Sequence, residues 1–205
     1  MKLAVGIVVL AYLLGSIPFS YLIVRLKAHK DVRSVGSGNV GATNAMRAAG
    51  KAAGIVALLL DIGKGIAAVL IARRLGATPA LAGAAAFFVM LGHCYPVWLK
   101  FQGGKGVATS AGAMGALAPP AMALTLLAFL LVVAWRRYVS LGSMAAAVSF
   151  PWFVFLTQRL GWEDRDPALL LAATLIGLFI VWKHRPNIER IRQGIEPRLG
   201  ERRAG

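Results

Sequence analysis

Apolar residues fall along the chain in long blocks, several of them roughly 17 to 25 residues, the length that crosses the hydrocarbon core of a bilayer. The blocks predict seven helical spans, at approximately 3–24, 53–72, 79–98, 106–118, 121–136, 139–157 and 167–183. The expected fold is therefore an all-α polytopic membrane protein, a single domain over residues 1–205. The fourth span is short, rich in Gly and Ala, and ends at Pro119-Pro120, which reads as a turn between two antiparallel helices. Lys2 ahead of the first run suggests a signal peptide, but no clear small-residue cleavage site follows and more spans do, so the run is read as a helix. Small residues inside spans, such as Gly112, Gly115 and Gly142, suit close helix approach.

Composition agrees with this pattern: 58% of residues are hydrophobic and 15% charged, with a mean hydropathy of +0.69. The net charge of +15 would suggest nucleic acid in a soluble protein. Here the cations gather in loops between spans, so the lipid bilayer is the expected partner and nucleic acid is not. Arg25, Lys27, Lys30, Arg33, Arg47 and Lys51 follow the first span, Lys100 and Lys105 the third, and Arg136 and Arg137 the fifth. A basic tail over 193–205 follows the seventh. These regions share one side, which the positive-inside rule names cytoplasmic; the N-terminus is then outside and the C-terminus inside. Arg73-Arg74 on the other side is the one discordant pair. Cys94 is the single cysteine, so no intrachain disulfide can form.

Three polar clusters interrupt the apolar background. Between Val35 and Gly50 the chain reads V-G-S-G-N-V-G-A-T-N-A-M-R-A-A-G. Gly36, Gly38 and Gly41 let backbone N–H groups converge on an anion, while Ser34, Ser37, Asn39, Thr43 and Asn44 add side-chain donors. Arg47 can clamp two phosphate oxygens with its planar fork. A flexible linker is the alternative, although the mixture of Asn, Thr and small apolar residues is unlike a Gly-Ser repeat. The second cluster, Asp61-Ile-Gly-Lys64-Gly65, lies inside a span, where charges pair or face a polar cavity. A spacing of three puts Asp61 and Lys64 on one helix face, as a structural pair or as a device for orienting substrate. The flanking glycines indicate close backbone approach or a helix break. The third runs from Gly92-His93-Cys-Tyr-Pro96 to Gly103-Gly104-Lys105-Gly106, which could set an ammonium and bare N–H groups beside a phosphate at the start of span four. It lacks the spacing of a Walker P-loop. Arg137-Tyr-Val-Ser140-Leu-Gly-Ser143 opens span six, and His184-Arg-x-Asn187 closes span seven.

Three scattered His, one Cys and eight acidic residues provide no metal-ligand spacing, so neither metal nor cofactor is expected. No G-x-S-x-G elbow is present, and no His carries an Asp at the H-x-x-x-x-D spacing of soluble-type glycerolipid acyltransferases. What remains is a cationic, glycine-rich site for one or more phosphates. A small transporter of phosphorylated metabolites is the rival class, but transporters usually show repeated halves, and none is visible. A structural subunit of a larger complex would leave the polar clusters unexplained.

Five pieces occur in order: Ser34-Val-Gly-Ser-Gly-Asn-Val-Gly-Ala-Thr-Asn44 with Arg47; Leu60-Asp-Ile-Gly-Lys-Gly65; Gly92-His-Cys-Tyr-Pro96 with Gly103-Gly-Lys-Gly-Val-Ala-Thr109; Arg137-Tyr-Val-Ser-Leu-Gly-Ser143; and His184-Arg-x-Asn-Ile188. Together they resemble the acyl-phosphate-dependent glycerol-3-phosphate acyltransferases of bacteria (PlsY) over nearly the whole chain. The resemblance implies a seven-helix enzyme of the bacterial inner membrane with its active site toward the cytoplasm. It implies acyl transfer from acyl phosphate to the 1-hydroxyl of sn-glycerol 3-phosphate, giving lysophosphatidic acid and phosphate, the first acylation of phospholipid synthesis. No acyl-CoA or cofactor is used, and a functional link to the enzyme that makes acyl phosphate follows. Carried onto this chain, Ser37, Thr43, Lys105 and Ser143 are expected at the phosphate and reacting groups. Arg47, His184 and Asn187 would hold glycerol 3-phosphate, with His184 or the acyl-phosphate oxygens as base. Ser34, Gly36, Gly38, Asn39, Gly41, Asn44, Lys64, His93, Gly103, Gly104 and Ser140 complete the expected substrate-binding set.

Overall fold

The computed structural model describes residues 1–201; Arg202 and Arg203 of the expected basic tail lie outside the described residues. All regular structure in it is helical. Two compact units follow one another along the chain, Met1–Leu117 and Ala118 onward.

The first unit holds α1 (Lys2–Ser16), α2 (Phe19–Ala28), α3 (Ala42–Ala49), α4 (Lys51–Arg74), α5 (Pro79–Cys94) and α6 (Val107–Leu117), with short 3-10 turns at Val32–Ser34 and Val97–Leu99. The expected first span is broken at Ile17-Pro18. Ile17 takes an extended backbone (ψ 114°), as the steric demand of the following proline ring requires, and Pro18 has no N–H to continue the ladder. By contrast α4 runs unbroken through Gly63 and Gly65, so its glycines mark no break. Two reciprocal glycine pairs set the packing. Gly15 of α1 lies on the Val89 carbonyl of α5, and Gly92 of α5 on the Tyr12 carbonyl of α1. Gly65 of α4 meets the Thr109 carbonyl of α6, and Gly112 of α6 the Ile62 carbonyl of α4. A Cβ at any of the four would collide with backbone, so these helices touch main chain to main chain, as small residues allow in a bilayer.

The second unit holds α7 (Pro119–Arg136), α8 (Val139–Arg159), α9 (Pro167–Lys183) and α10 (Arg185–Arg192). Both prolines of Pro119-Pro120 sit in the first turn of α7, where a missing N–H costs nothing. Asp166 caps α9, accepting the N–H groups of Ala168 (2.9 Å) and Leu169 (3.2 Å). Within α8, Pro151 deprives the Ala147 carbonyl of its i+4 donor, and Gly177 of α9 packs closely against that same carbonyl. Here a helix irregularity and a small residue on the neighbour answer each other.

Among the described residues, five helical segments are long and apolar enough to cross a membrane, with α1 and α2 taken together, and a sixth is obtained if α9 and α10 are joined through their 50° bend. The expected fourth span, α6, has only 11 residues, about 16 Å of helix. Leu126, Leu127, Leu130, Leu131 and Trp135 form an outward apolar surface on α7, which only lipid can solvate without penalty. The second half of the Val35–Gly50 stretch is the helix α3, so the stretch is not the flexible linker of the alternative reading. Its Ala-rich segment supplies the helix propensity that the Gly/Ser half lacks.

Candidate active site

The glycine-rich stretch of the first unit is a folded anchor for a helix start. Gly36 and Gly38 adopt left-handed backbone (φ +59° and +69°), a conformation that costs a side-chain-bearing residue about 1–2 kcal/mol. Asn44 is buried and organises the turn from inside: its amide donates to the carbonyls of Val32 (2.8 Å) and Val35 (2.9 Å), and its Oδ1 accepts the Ser37 N–H (3.1 Å). Val24, Val32, Val40, Ala45, Ala57 and Leu99 form the apolar floor beneath. A Cβ on Gly36 would fall 2.5 Å from Asn44 Oδ1 and 3.4 Å from Arg47 Cδ, so the Arg47 stem crosses the turn where Gly36 leaves room. Ser37, Thr43 and Arg47 remain exposed. The Gly41 carbonyl receives the N–H groups of Asn44 and Ala45, both at 2.9 Å. The N–H groups of Ala42 and Thr43 therefore head α3 without an intrahelical acceptor, the arrangement that suits an anion. Upstream, Ser34 Oγ donates to the Asp31 carbonyl at 2.8 Å, so this expected donor is engaged within the turn. The Arg33 guanidinium holds the Asp31 carboxyl below the usual carboxylate range, and the two neutralise each other.

A second glycine turn, Gly103–Gly106, leads into α6, with Lys105 half-buried in it. Gly106 has φ +82°, and its carbonyl receives the Ser110 N–H at 2.8 Å. The N–H groups at the head of α6 thus follow directly on Lys105. A Cβ on Gly104 would strike both the His93 ring and the Val40 carbonyl of the first turn, which makes the two glycine turns neighbours within this unit. Asp61, Lys64 and His93 form a buried cluster behind them. Lys64 Nζ lies 2.8 Å from Asp61 Oδ1 and donates to the Ile17 carbonyl at 2.9 Å, while His93 Nδ1 stands 3.4 Å from Asp61 Oδ1. The contacts at Asp61 Oδ1 are ion pairs by distance rather than aligned hydrogen bonds. Lys64 therefore serves the carbonyl exposed by the α1–α2 break.

The second unit carries the remaining expected residues. His184 is the buried residue between α9 and α10, and its Nδ1 lies 2.8 Å from the Ile180 carbonyl. A carbonyl only accepts, so Nδ1 bears a proton, and when the ring is neutral Nε2 is the acceptor. Asn187 donates from Nδ2 to Glu196 Oε1 at 2.7 Å, Ser140 Oγ donates to the same oxygen at 2.7 Å, and Arg190 Nε donates to Glu196 Oε2 at 2.7 Å. Ser143 Oγ donates back to the Val139 carbonyl of its own helix at 2.8 Å.

Glu196 is the residue that sequence reasoning missed. The tail beyond Arg192 carries no motif, and the one usable signal was an acidic side chain in a strongly basic segment. Burial pushes its carboxyl up, but hydrogen bonds from Ser140, Asn187 and Arg190 outweigh this and hold it below the ordinary glutamate range.

Two helix N-termini behind glycine turns, each with a cation, form an arrangement that suits an anion. The sequence profile named glycerol-3-phosphate acyltransferase matches residues 5–194. The chain belongs to the glycerol-3-phosphate acyltransferase family. It is 44% identical to the glycerol-3-phosphate acyltransferase of Desulforamulus reducens, over 97% of this chain and 96% of the relative. Identity with that of Thermosynechococcus vestitus is also 44%, over 93% and 92% of the two chains. A crystal structure of PlsY, an integral membrane glycerol 3-phosphate acyltransferase, in its glycerol 3-phosphate form superposes with a TM-score of 0.88 at 41% identity, covering 96% of each chain. The lysophosphatidic acid form of PlsY gives 0.84 at 40% identity, covering 96% of this chain and 95% of that one. This member of the acyltransferase family is thus an all-helical integral membrane protein.

Proposed function

We propose that the protein transfers an acyl chain from acyl phosphate to the 1-hydroxyl of sn-glycerol 3-phosphate, releasing lysophosphatidic acid and inorganic phosphate. The observation that carries this reading is the pair of adjacent glycine turns, each opening a helix and each bearing a cation, in a chain of this family. Both substrates carry phosphate, which gives each turn an anion to hold. The glycerol 3-phosphate and lysophosphatidic acid forms of the similar PlsY structure support the acceptor and the product. The family match runs through both units, which supports treating residues 1–205 as one acyltransferase domain.

In this reading Ser37, Thr43, Lys105 and Ser143 contact phosphate and the reacting groups. Arg47, His184 and Asn187 hold glycerol 3-phosphate, and Asn44 and Ser34 shape the turn that presents their neighbours. The hydroxyl oxygen forms an ester bond to the acyl carbon, and the bond from that carbon to the bridging phosphate oxygen breaks. The hydroxyl proton passes to the departing phosphate or to Nε2 of His184. Phosphate is a good leaving group, so positioning and charge stabilisation supply most of the acceleration. Basic-residue placement supports an inner-membrane location with the active surface toward the cytoplasm, the greasy donor arriving through the bilayer and the polar acceptor from water.

The test is purified protein supplied with glycerol 3-phosphate and, in separate reactions, acyl phosphate, acyl-CoA or acylated carrier protein. Lysophosphatidic acid and phosphate in equal amounts, from acyl phosphate alone, are expected. Product from acyl-CoA but not acyl phosphate would overturn the donor. Flux of glycerol 3-phosphate across liposomes without product would point to transport. An acylated serine trapped in a quenched reaction would exclude direct transfer. A His184→Ala variant that loses glycerol 3-phosphate binding but keeps residual turnover would make His184 a binding group rather than the base.

A further inference from the structure

The Asp61–Lys64–His93 cluster is buried, charged and placed behind the second glycine turn. A structural ion pair at such depth is a poor source of stability, because desolvating both charges offsets their attraction. Its geometry points elsewhere. The His93 carbonyl accepts the Gly104 N–H at 3.1 Å, and the His93 ring lies so close to Gly104 that a Cβ there would strike Nε2. The same Cβ would also strike the Val40 carbonyl of the first turn. The opposite edge of the ring, Nδ1, faces Asp61, whose carboxylate is held by Lys64, itself bonded to the carbonyl of Ile17. A continuous series of contacts therefore runs from the proline break of the first span to the residue before Lys105.

We propose that Asp61 is a positioning residue: it orients the His93 ring, and the ring sets the Gly103–Gly106 turn and thereby the place of the Lys105 ammonium. Lys64 holds the Asp61 carboxylate in place. A misplacement of about 1 Å in such a group can cost on the order of 10²-fold in rate. The inference rests on the reading of Lys105 as a phosphate contact.

The experiment compares two single variants, Asp61→Asn and Asp61→Ala, both of which keep Lys64 on the Ile17 carbonyl. The side-chain oxygen of the introduced asparagine can still stand against His93 Nδ1; an alanine leaves nothing there. Steady-state kinetics with acyl phosphate and glycerol 3-phosphate, alongside thermal unfolding in detergent, give the readout. The asparagine variant is expected to keep kcat within a few-fold of the parent. The alanine variant should lose about 10²-fold while unfolding within a few degrees of it. Equal activity in both variants, whether retained or lost, would overturn the proposal, since a purely structural pair does not distinguish them. Should the alanine variant not fold, His93→Asn provides the same contrast. It keeps the donor facing Asp61 but removes the ring beneath Gly104, so a comparable loss of kcat is expected and full activity overturns the idea. Lys105→Ala runs in parallel: if it turns over like the parent, the phosphate reading of Lys105 fails on its own account.

Discussion

Asn187 and Ser140, 47 positions apart in sequence, donate to one oxygen of Glu196, each at 2.7 Å, and Arg190 closes the other oxygen at 2.7 Å. The start of α8 and the whole of α10 are thereby tied through one carboxylate. Replacing it should disturb the orientation of His184 and Asn187 together.

Glu196→Gln keeps the shape of the side chain but turns one acceptor oxygen into a donor and removes the charge opposite Arg190. A charge-assisted hydrogen bond is worth roughly 1.5–3 kcal/mol, so a loss of about that size is expected in detergent unfolding. Turnover should fall by at least about tenfold, because the substrate-facing groups lose their orientation. Unchanged stability with unchanged turnover would separate Glu196 from the site.

The same residue gives a pH dependence. Its folded pKa lies below the ordinary glutamate value of 4.5, so the unfolded chain binds the proton more readily. The stabilisation is complete above that ordinary value and is lost as pH falls through it and on through the lower folded value. Melting temperatures measured from pH 7 downward should therefore converge for the parent and Glu196→Gln at acid pH. A constant gap between them would show that the carboxylate is not the titrating group.

Gly36→Ala and Gly50→Ala form a matched pair. Both positions have positive φ, +59° and +91°, but a Cβ at Gly36 meets Asn44 Oδ1 whereas one at Gly50 meets nothing within 4 Å. Gly36→Ala should cost about 1–2 kcal/mol of backbone strain, and Gly50→Ala, whose ψ of 170° lies outside the left-handed helical region, about 1–3 kcal/mol. Only Gly36→Ala should also reduce the apparent affinity for a phosphate substrate, visible as a raised KM. Equal KM values in the two variants would mean that the turn does not shape the anion site.

The reciprocal glycine contacts predict a contrast within one helix. Gly65→Ala forces α4 away from the α6 backbone, whereas Gly63→Ala meets nothing within 4 Å. The first should destabilise by about 1–3 kcal/mol or more. The second should be neutral or stabilising by up to about 1 kcal/mol, since alanine is the better helix former. Unfolding midpoints of the two variants provide the check, and similar values would contradict the close approach.

The spans were legible in the sequence because the hydrocarbon core tolerates only long apolar helices with their backbone bonds closed internally. From α4 onward the expected spans agree with the helices to within a few residues. The break at Ile17-Pro18 was passed over because its flanks are equally apolar, so hydropathy carries no mark of it. Asp61 and Lys64 could be paired from their spacing of three. His93 could not, since it arrives on another helix. The glycine turns announced an anion site through composition, but that Gly104 lies against His93 and Val40 is a fact of packing. Beyond its charge in a basic segment Glu196 left no local trace of its role, because two of its partners, Ser140 and Asn187, lie 56 and nine residues away. Periodicity and local propensity, which act over one or two helical turns, thus determined the helices and the kind of chemistry. Which side chain holds which was decided only when helices packed backbone to backbone and buried polar groups had to find partners far along the chain.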